Sequence, residues 1–183
     1  MATDYHPPSY TLGEEIANSV IHGMGIVLGI AGLGVLTAFA ALHGDAWHIV
    51  SCSIFGAALI VLYTTSTLYH SIPIPRVKAV MRTLDHSAIF LLIAGTYTPI
   101  ALLALPREKG LILLIAVWAG ALLGIGFRVF WIGAPRWLYV LLYVALGWAA
   151  VMYVVDIAHA NIAAMVLVIV GGLLYTVGAV VYG

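Results

Sequence analysis

Charged residues are scarce in this sequence. Lys and Arg number 7 and Asp and Glu another 7 among 183 residues, so charge makes up 8% of the chain and the formal net charge is zero. Soluble domains carry roughly 25% charged residues, and a chain this poor in charge cannot give water a polar exterior. Zero net charge also lacks the basic footprint of a nucleic-acid partner, and none is expected. Cysteine occurs once, at Cys52, which excludes an internal disulfide and a thiolate metal cluster. No basic stretch leads into a short apolar core with a cleavage site, so the first apolar run is expected to stay as a span.

What is abundant is apolar. Hydrophobic residues make up 64% of the chain, and the mean hydropathy is +1.14. In lipid the backbone must satisfy its own polar groups, which leaves helices or a closed barrel. Barrel strands alternate polar and apolar residues, whereas the apolar runs here are long and unbroken. The expectation is an all-α, polytopic transmembrane helix bundle. Six spans are expected at 16–42, 48–72, 84–105, 110–131, 136–155 and 160–182. Each approaches or exceeds the ~20 residues that cross ~30 Å of hydrocarbon. The breaks between them fall at His43-Gly44-Asp45, Pro73-Ile74-Pro75-Arg76, Pro106-Arg107-Glu108-Lys109-Gly110 and Gly133-Ala134-Pro135-Arg136. Proline lacks an amide donor and stops helices at such places. Residues 1–13 form a short polar tail, and 14–183 a single membrane domain.

Orientation follows from Lys and Arg in the short connections. Arg76, Lys78, Arg82, Arg128 and Arg136 belong to one side, and Arg107 and Lys109 to the other. The richer side is expected to be cytoplasmic, which puts the N-terminus inside. Trp47, Trp131 and Trp137 near span ends fit interfacial anchoring.

Polar residues retained inside spans are the informative ones. With that topology Glu15, Asn18 and His22 lie on one face near the start of span one. Ser66 and His70 stack near the end of span two, and Asp85 and His86 enter with span three. Three helices thus bring acids, histidines and a hydroxyl to one depth. Each residue also has a plainer reading. Glu14 and Glu15 suit the first turn of a helix. Asn18 and His22 suit interhelical hydrogen bonding, and Ser66 a bond to its own backbone. His70 suits an interfacial helix end. Asp85 could snorkel or pair with Arg82, and His86 is read as supporting or structural. Arg128 is read as a snorkelling interfacial residue, and His43, His48 and His159 as solvated. The sharper reading of Ser66, His70 and Asp85 is a metal site. Neutral imidazole is a good Zn²⁺ ligand, catalytic zinc takes three protein ligands plus water, and a nearby carboxylate can hold that water and take its proton.

These residues also carry a resemblance. The segments are Glu15-Ile16-Ala17-Asn18 with His22-Gly23, Ser66-Thr67-Leu68-Tyr69-His70, Leu84-Asp85-His86-Ser87, Gly95-Thr96-Tyr97-Thr98-Pro99, and Gly171-Gly172-Leu173-Leu174-Tyr175 through Gly178 to Tyr182-Gly183. In this order the set resembles the hemolysin III branch of the progestin and adipoQ receptor (PAQR) family, over essentially the whole chain. The short tail is similar to that of bacterial members, which implies a bacterial cytoplasmic (inner) membrane. The resemblance implies a seven-helix fold and a zinc ion near the cytoplasmic face. It implies that His70 is a zinc ligand, that Asp85 contacts the zinc-bound water, and that Ser66 belongs to the same site. Two further histidines would come from an HxxxH motif on a seventh helix. This sequence carries no HxxxH and reaches Gly183 at the end of span six, so those histidines are expected from a segment absent here.

Two functions are therefore open to this sequence. One is a zinc-dependent hydrolase of a lipid amide or ester, similar to the family's ceramidase-like members. In that reading Asp85 and Ser66 are catalytic, and Glu15, Asn18 and His22 support them. The other is a non-enzymatic sensor, receptor or pore-forming protein. Gly23, Gly25, Gly29 and Gly32 on span one allow close helix packing or self-association into a homo-oligomer.

Overall fold

A computed structural model describes residues 10–131 and 134–182. The tail up to residue 9, Gly133 of the fourth connection and Gly183 lie outside them. The described residues form helices and contain no strand: α1 Leu12–His43, α2 Ala46–Ser71, α3 Pro75–Leu103, α4 Arg107–Phe130, α5 Arg136–Gly147, a 3₁₀ turn Ala149–Tyr153, α6 Val154–Ala160 and α7 Ile162–Tyr182. With α5, the turn and α6 read as one interrupted crossing, six helical segments among the described residues are long and apolar enough to span a bilayer. The chain is a multi-pass membrane protein.

The helix starts follow local chemistry. Thr11 caps α1: its hydroxyl accepts from the Glu14 N–H at 3.3 Å, and the Glu14 carboxylate accepts from the Thr11 N–H at 2.7 Å, a reciprocal capping box. Asp45 caps α2 by accepting from the N–H groups of Trp47 and His48 at 2.9 and 3.2 Å. Pro75 opens α3. Its fixed φ suits a first helical residue, and its missing N–H is no loss there. The same proline that breaks the chain after α2 thus begins the next helix well ahead of the expected residue 84. Arg76, Lys78 and Arg82 consequently stand on α3 and not in a loop.

Successive helices pack side by side, α1 on α2, α2 on α3 and α3 on α4, while α7 lies on α5 and α6. The core centres on α3, where Phe90, Ile93, Ala94, Tyr97 and Ala101 meet Leu113, Val117 and Ala121 of α4 and Tyr139 and Tyr143 of α5. Gly25 and Gly29 are buried against α2. A Cβ at Gly25 would sit 2.6 Å from the Tyr63 ring and one at Gly29 3.3 Å from Ile60, while Gly23 and Gly32 meet nothing within 4 Å. The first pair lets α1 approach α2 closely. Leu28 and Leu42 of α1 and Leu167 and Val181 of α7 are more than two-thirds exposed, as lipid-facing side chains are.

The fifth crossing is broken by a side chain from α3. The Tyr97 hydroxyl donates to the Gly147 carbonyl and accepts from the Ala150 N–H at 3.1 Å. It takes over two backbone groups that a continuous α-helix would each bond to a residue four positions away, and the chain turns through a 3₁₀ segment before α6. The crossing therefore runs to Ala160, beyond the expected 155.

Candidate functional site

α1 begins, α2 ends and α3 begins at the same rim of the bundle. Glu15, one residue past the Glu14 of the capping box, reaches across to α2 and α3. Its Oε2 receives His70 Nδ1 at 2.7 Å, and its Oε1 pairs with Lys78 Nζ at 2.8 Å. The two neighbouring acids of the first turn thus divide: Glu14 serves the cap and Glu15 the site. Lys78 Nζ also donates to the Tyr69 carbonyl at 3.0 Å and lies 4.9 Å above the Tyr69 ring. The His70 side chain is 8% exposed, against 17% for Glu15.

The His70 ring is held on several sides. Tyr10 meets it edge-on at 5.5 Å, Tyr69 lies at 4.6 Å, and His22 stacks on it at 5.9 Å with an interplanar angle of 14°. His22 Nδ1 is buried without a hydrogen-bond partner among the described residues. Asn18 is half-buried on the same helix. Ser71 Oγ donates to Ser19 Oγ at 3.1 Å and ties α2 to α1 a turn further along.

One turn before His70, Ser66 is buried at 6% exposure. Its hydroxyl faces the Asp85 carboxyl group of α3, and His70, Arg128 and Arg82 lie within electrostatic reach of that carboxyl. The Asp85 side chain is 15% exposed. Arg128 departs from the snorkelling expectation. It is buried at 8% exposure, its guanidinium lies 4.9 Å over the Tyr139 ring, and its Nε has no hydrogen-bond partner among the described residues. The cause is helix register: Arg128 sits on the inward face of α4 with Val117, Ala121 and Gly124, all buried, so its side chain points at α3 and α5. His86 is tied to its own helix and to α5, with its Nδ1 3.7 Å from Asp85 Oδ2. Its Nδ1 donates to the Arg82 carbonyl of its own helix at 2.8 Å, and its carbonyl accepts from the Tyr143 hydroxyl at 2.8 Å.

Glu15, His22, Ser66, His70 and Asp85 are thus gathered at one rim, with Asn18 beside them. Lys78 and Arg128 join them without having been singled out in the sequence. A signal for Lys78 exists: once Pro75 is taken as a helix start, Lys78 and Asp85 stand seven residues apart on one face. An open cleft of about 640 Å³, lined by Tyr10, Glu15, Ser19, His70, Ser71 and Lys78, leads to His70. A second cleft of about 610 Å³ lies further along the bundle among α2, α3, α5 and α7. Phe55, Tyr97, Val168 and Tyr175 line it, and no charged residue does.

A catalytic zinc takes three protein ligands. With Nδ1 engaged by Glu15, His70 has Nε2 left as a donor, and Asp85 adds a carboxylate. Among the described residues no three His, Cys, Asp or Glu side chains converge to hold an ion. The residues present fit zinc as part of a ligand set and do not complete one.

The family model described as Haemolysin-III related matches residues 10–183. The Hemolysin-3 homolog of Bacillus subtilis (strain 168) is 43% identical over 174 residues, covering 94% of this chain and 82% of that protein. Hemolysin-3 of Bacillus cereus is 39% identical over 171 residues, covering 92% of this chain and 78% of that protein. No solved structure matches the chain. A helical membrane protein matched over this much of its length at this identity belongs to the haemolysin-III-related family.

Proposed function

We propose that this chain is a bacterial inner-membrane protein with a cytoplasmic N-terminus, whose rim site hydrolyses an amide or ester of a membrane lipid with the help of zinc. The observation that carries the reading is the meeting of Ser66, His70 and Asp85 from two helices, nearly shielded from solvent but next to a cleft that opens at the rim. The Lys and Arg residues of the same rim support its cytoplasmic placement. Zinc would supply a Lewis acid that lowers the pKa of a coordinated water from ~15.7 toward ~7. His70 offers its Nε2 as one ligand, and the described residues do not complete the set. Asp85 accepts the proton of the attacking water, and Ser66 orients that water or donates to the oxyanion developing on the substrate carbonyl.

The test is to purify the protein from membranes, measure its zinc content and assay ceramide-like amides, with His70→Ala and Asp85→Asn as controls. Zinc near one per chain and hydrolysis lost in both variants support the reading. Protein without zinc, or hydrolysis unchanged in His70→Ala, defeats it.

The apolar cleft favours a second reading, a non-enzymatic lipid sensor. Saturable binding of a labelled lipid, reduced by Val168→Trp without any hydrolysis, supports the sensor. The relatives' printed names suggest a pore, and dye release from liposomes separates that from both.

A further inference from the structure

We infer that Glu15 and Lys78 are positioning residues that fix the His70 imidazole in the tautomer whose Nε2 carries the lone pair. The inference deepens the hydrolase reading, since it assigns the groups that present His70 as a ligand.

Glu15 Oε1 lies 2.8 Å from the Lys78 ammonium, a contact that favours the ionised carboxylate. An ionised carboxylate only accepts hydrogen bonds. His70 Nδ1, 2.7 Å from Oε2, must therefore carry the proton. In neutral imidazole a protonated Nδ1 leaves Nε2 as the acceptor. Free imidazole side chains in water favour the opposite form, with the proton on Nε2, so the contact reverses the ordinary preference. A carboxylate holding the far nitrogen of a histidine is a recurrent way of orienting a metal ligand.

Geometry separates this contact from a surface ion pair. Glu15 and His70 are 55 residues apart in sequence and partly buried, and Lys78 comes from a third helix. Asp45 and His48 share the same donor and acceptor types. They lie three residues apart, largely exposed, at the start of α2, where the carboxylate caps a helix. Lys78 is held in turn by the Tyr69 carbonyl and ring. The order Lys78, Glu15, His70 therefore runs across α3, α1 and α2, each group limiting the freedom of the next.

The experiment is ¹⁵N NMR of histidine-labelled full-length protein in detergent micelles, with His70 assigned by the His70→Gln variant. In the wild type His70 is expected to show a protonated Nδ1 and a bare Nε2. Glu15→Gln keeps an acceptor oxygen and should retain that pattern. Glu15→Leu should shift His70 toward the Nε2-protonated form. Should Glu15→Leu fail to fold with Lys78 unpaired, Glu15→Leu/Lys78→Met removes both charges and should show the same shift. A wild-type His70 protonated on Nε2 overturns the inference, as does an unchanged tautomer in Glu15→Leu or the double variant. Zinc titration of the same samples gives the second readout. Affinity about 10- to 100-fold weaker in Glu15→Leu is expected. Equal affinity after loss of the tautomer overturns the positioning role. If the wild type binds no zinc, the hydrolase reading fails, while the NMR result still decides whether Glu15 sets the tautomer.

Discussion

Tyr97→Phe removes one oxygen from the point where the fifth crossing is broken. In the wild type that oxygen serves the Gly147 carbonyl and the Ala150 N–H, at a place where Tyr97 is 5% and Ala150 1% exposed. Phenylalanine fills the same space and serves neither group. A buried donor left without a partner costs about 1–3 kcal/mol. Hydrogen bonds between membrane helices average about 0.6 kcal/mol, with a maximum near 1.7. A loss of about 1–2 kcal/mol follows. Rewinding into a continuous helix would recover part of it, but both flanks are pinned. Trp148 donates to Thr176 Oγ1 at 2.9 Å, a Cβ at Gly147 would lie 3.1 Å from the Tyr175 ring, and Ile157 is fully buried. The assay is equilibrium unfolding in mixed micelles, with amide hydrogen exchange resolved to Ala150. Tyr97→Phe should lower stability by that amount and speed exchange at Ala150. A change under about 0.3 kcal/mol with unaltered exchange would refute the claim that the hydroxyl holds the break.

Three further outcomes test separate parts of the structure. A Cβ at Gly110 would lie 2.0 Å from the Ala101 carbonyl oxygen, and backbone cannot swing aside, so Gly110→Ala should destabilise the α3–α4 packing by about 1–3 kcal/mol or more; an unshifted unfolding midpoint would contradict it. Lys109 Nζ bonds both Asp156 oxygens at 2.7 and 2.9 Å, with side chains 49% and 23% exposed; Lys109→Met should therefore cost only about 0.2–1 kcal/mol, less in high salt, and a larger, salt-insensitive loss would show another role. The His48 side chain and then its backbone N–H hold the Asp45 carboxyl below the usual carboxylate range. Because the folded pKa is the lower one, the capping contribution is complete above the unfolded pKa and fades as pH falls through the folded value. His48→Ala should raise the Asp45 midpoint measured by NMR, and an unmoved midpoint would count against the contact.

The apolar runs made the helices legible, because lipid leaves a chain few other ways to satisfy its backbone. The i,i+4 pair Ser66 and His70 and the later Asp85 were legible as one site once alternating helix directions were assigned. Three features were hidden. Pro75 reads as a stop as readily as a start, so Lys78 looked like a loop residue and its pairing with Glu15 could not be seen. Arg128 lies near a helix end, where snorkelling is the ordinary fate of arginine; its inward direction depends on the register of α4 against α3. The break after Gly147 depends on Tyr97, 50 residues earlier, and nothing local marks it. Gly25 and Gly29 could equally have faced another molecule, and it is the Tyr63 and Ile60 side chains of α2 that occupy the space beside them.

The central claim is that α1, α2 and α3 bring their polar side chains to one face of the membrane. Its most direct test is one-sided thiol labelling in sealed, oriented vesicles. On a Cys52→Ala background, single cysteines replace Ser19, Ser71 and Lys78, which line the rim cleft, and Asp45 at the far end of α1. Labelling of the first three from the same face, with position 45 reached only from the other, is the expected result. Any two of Ser19, Ser71 and Lys78 labelled from opposite faces would contradict it.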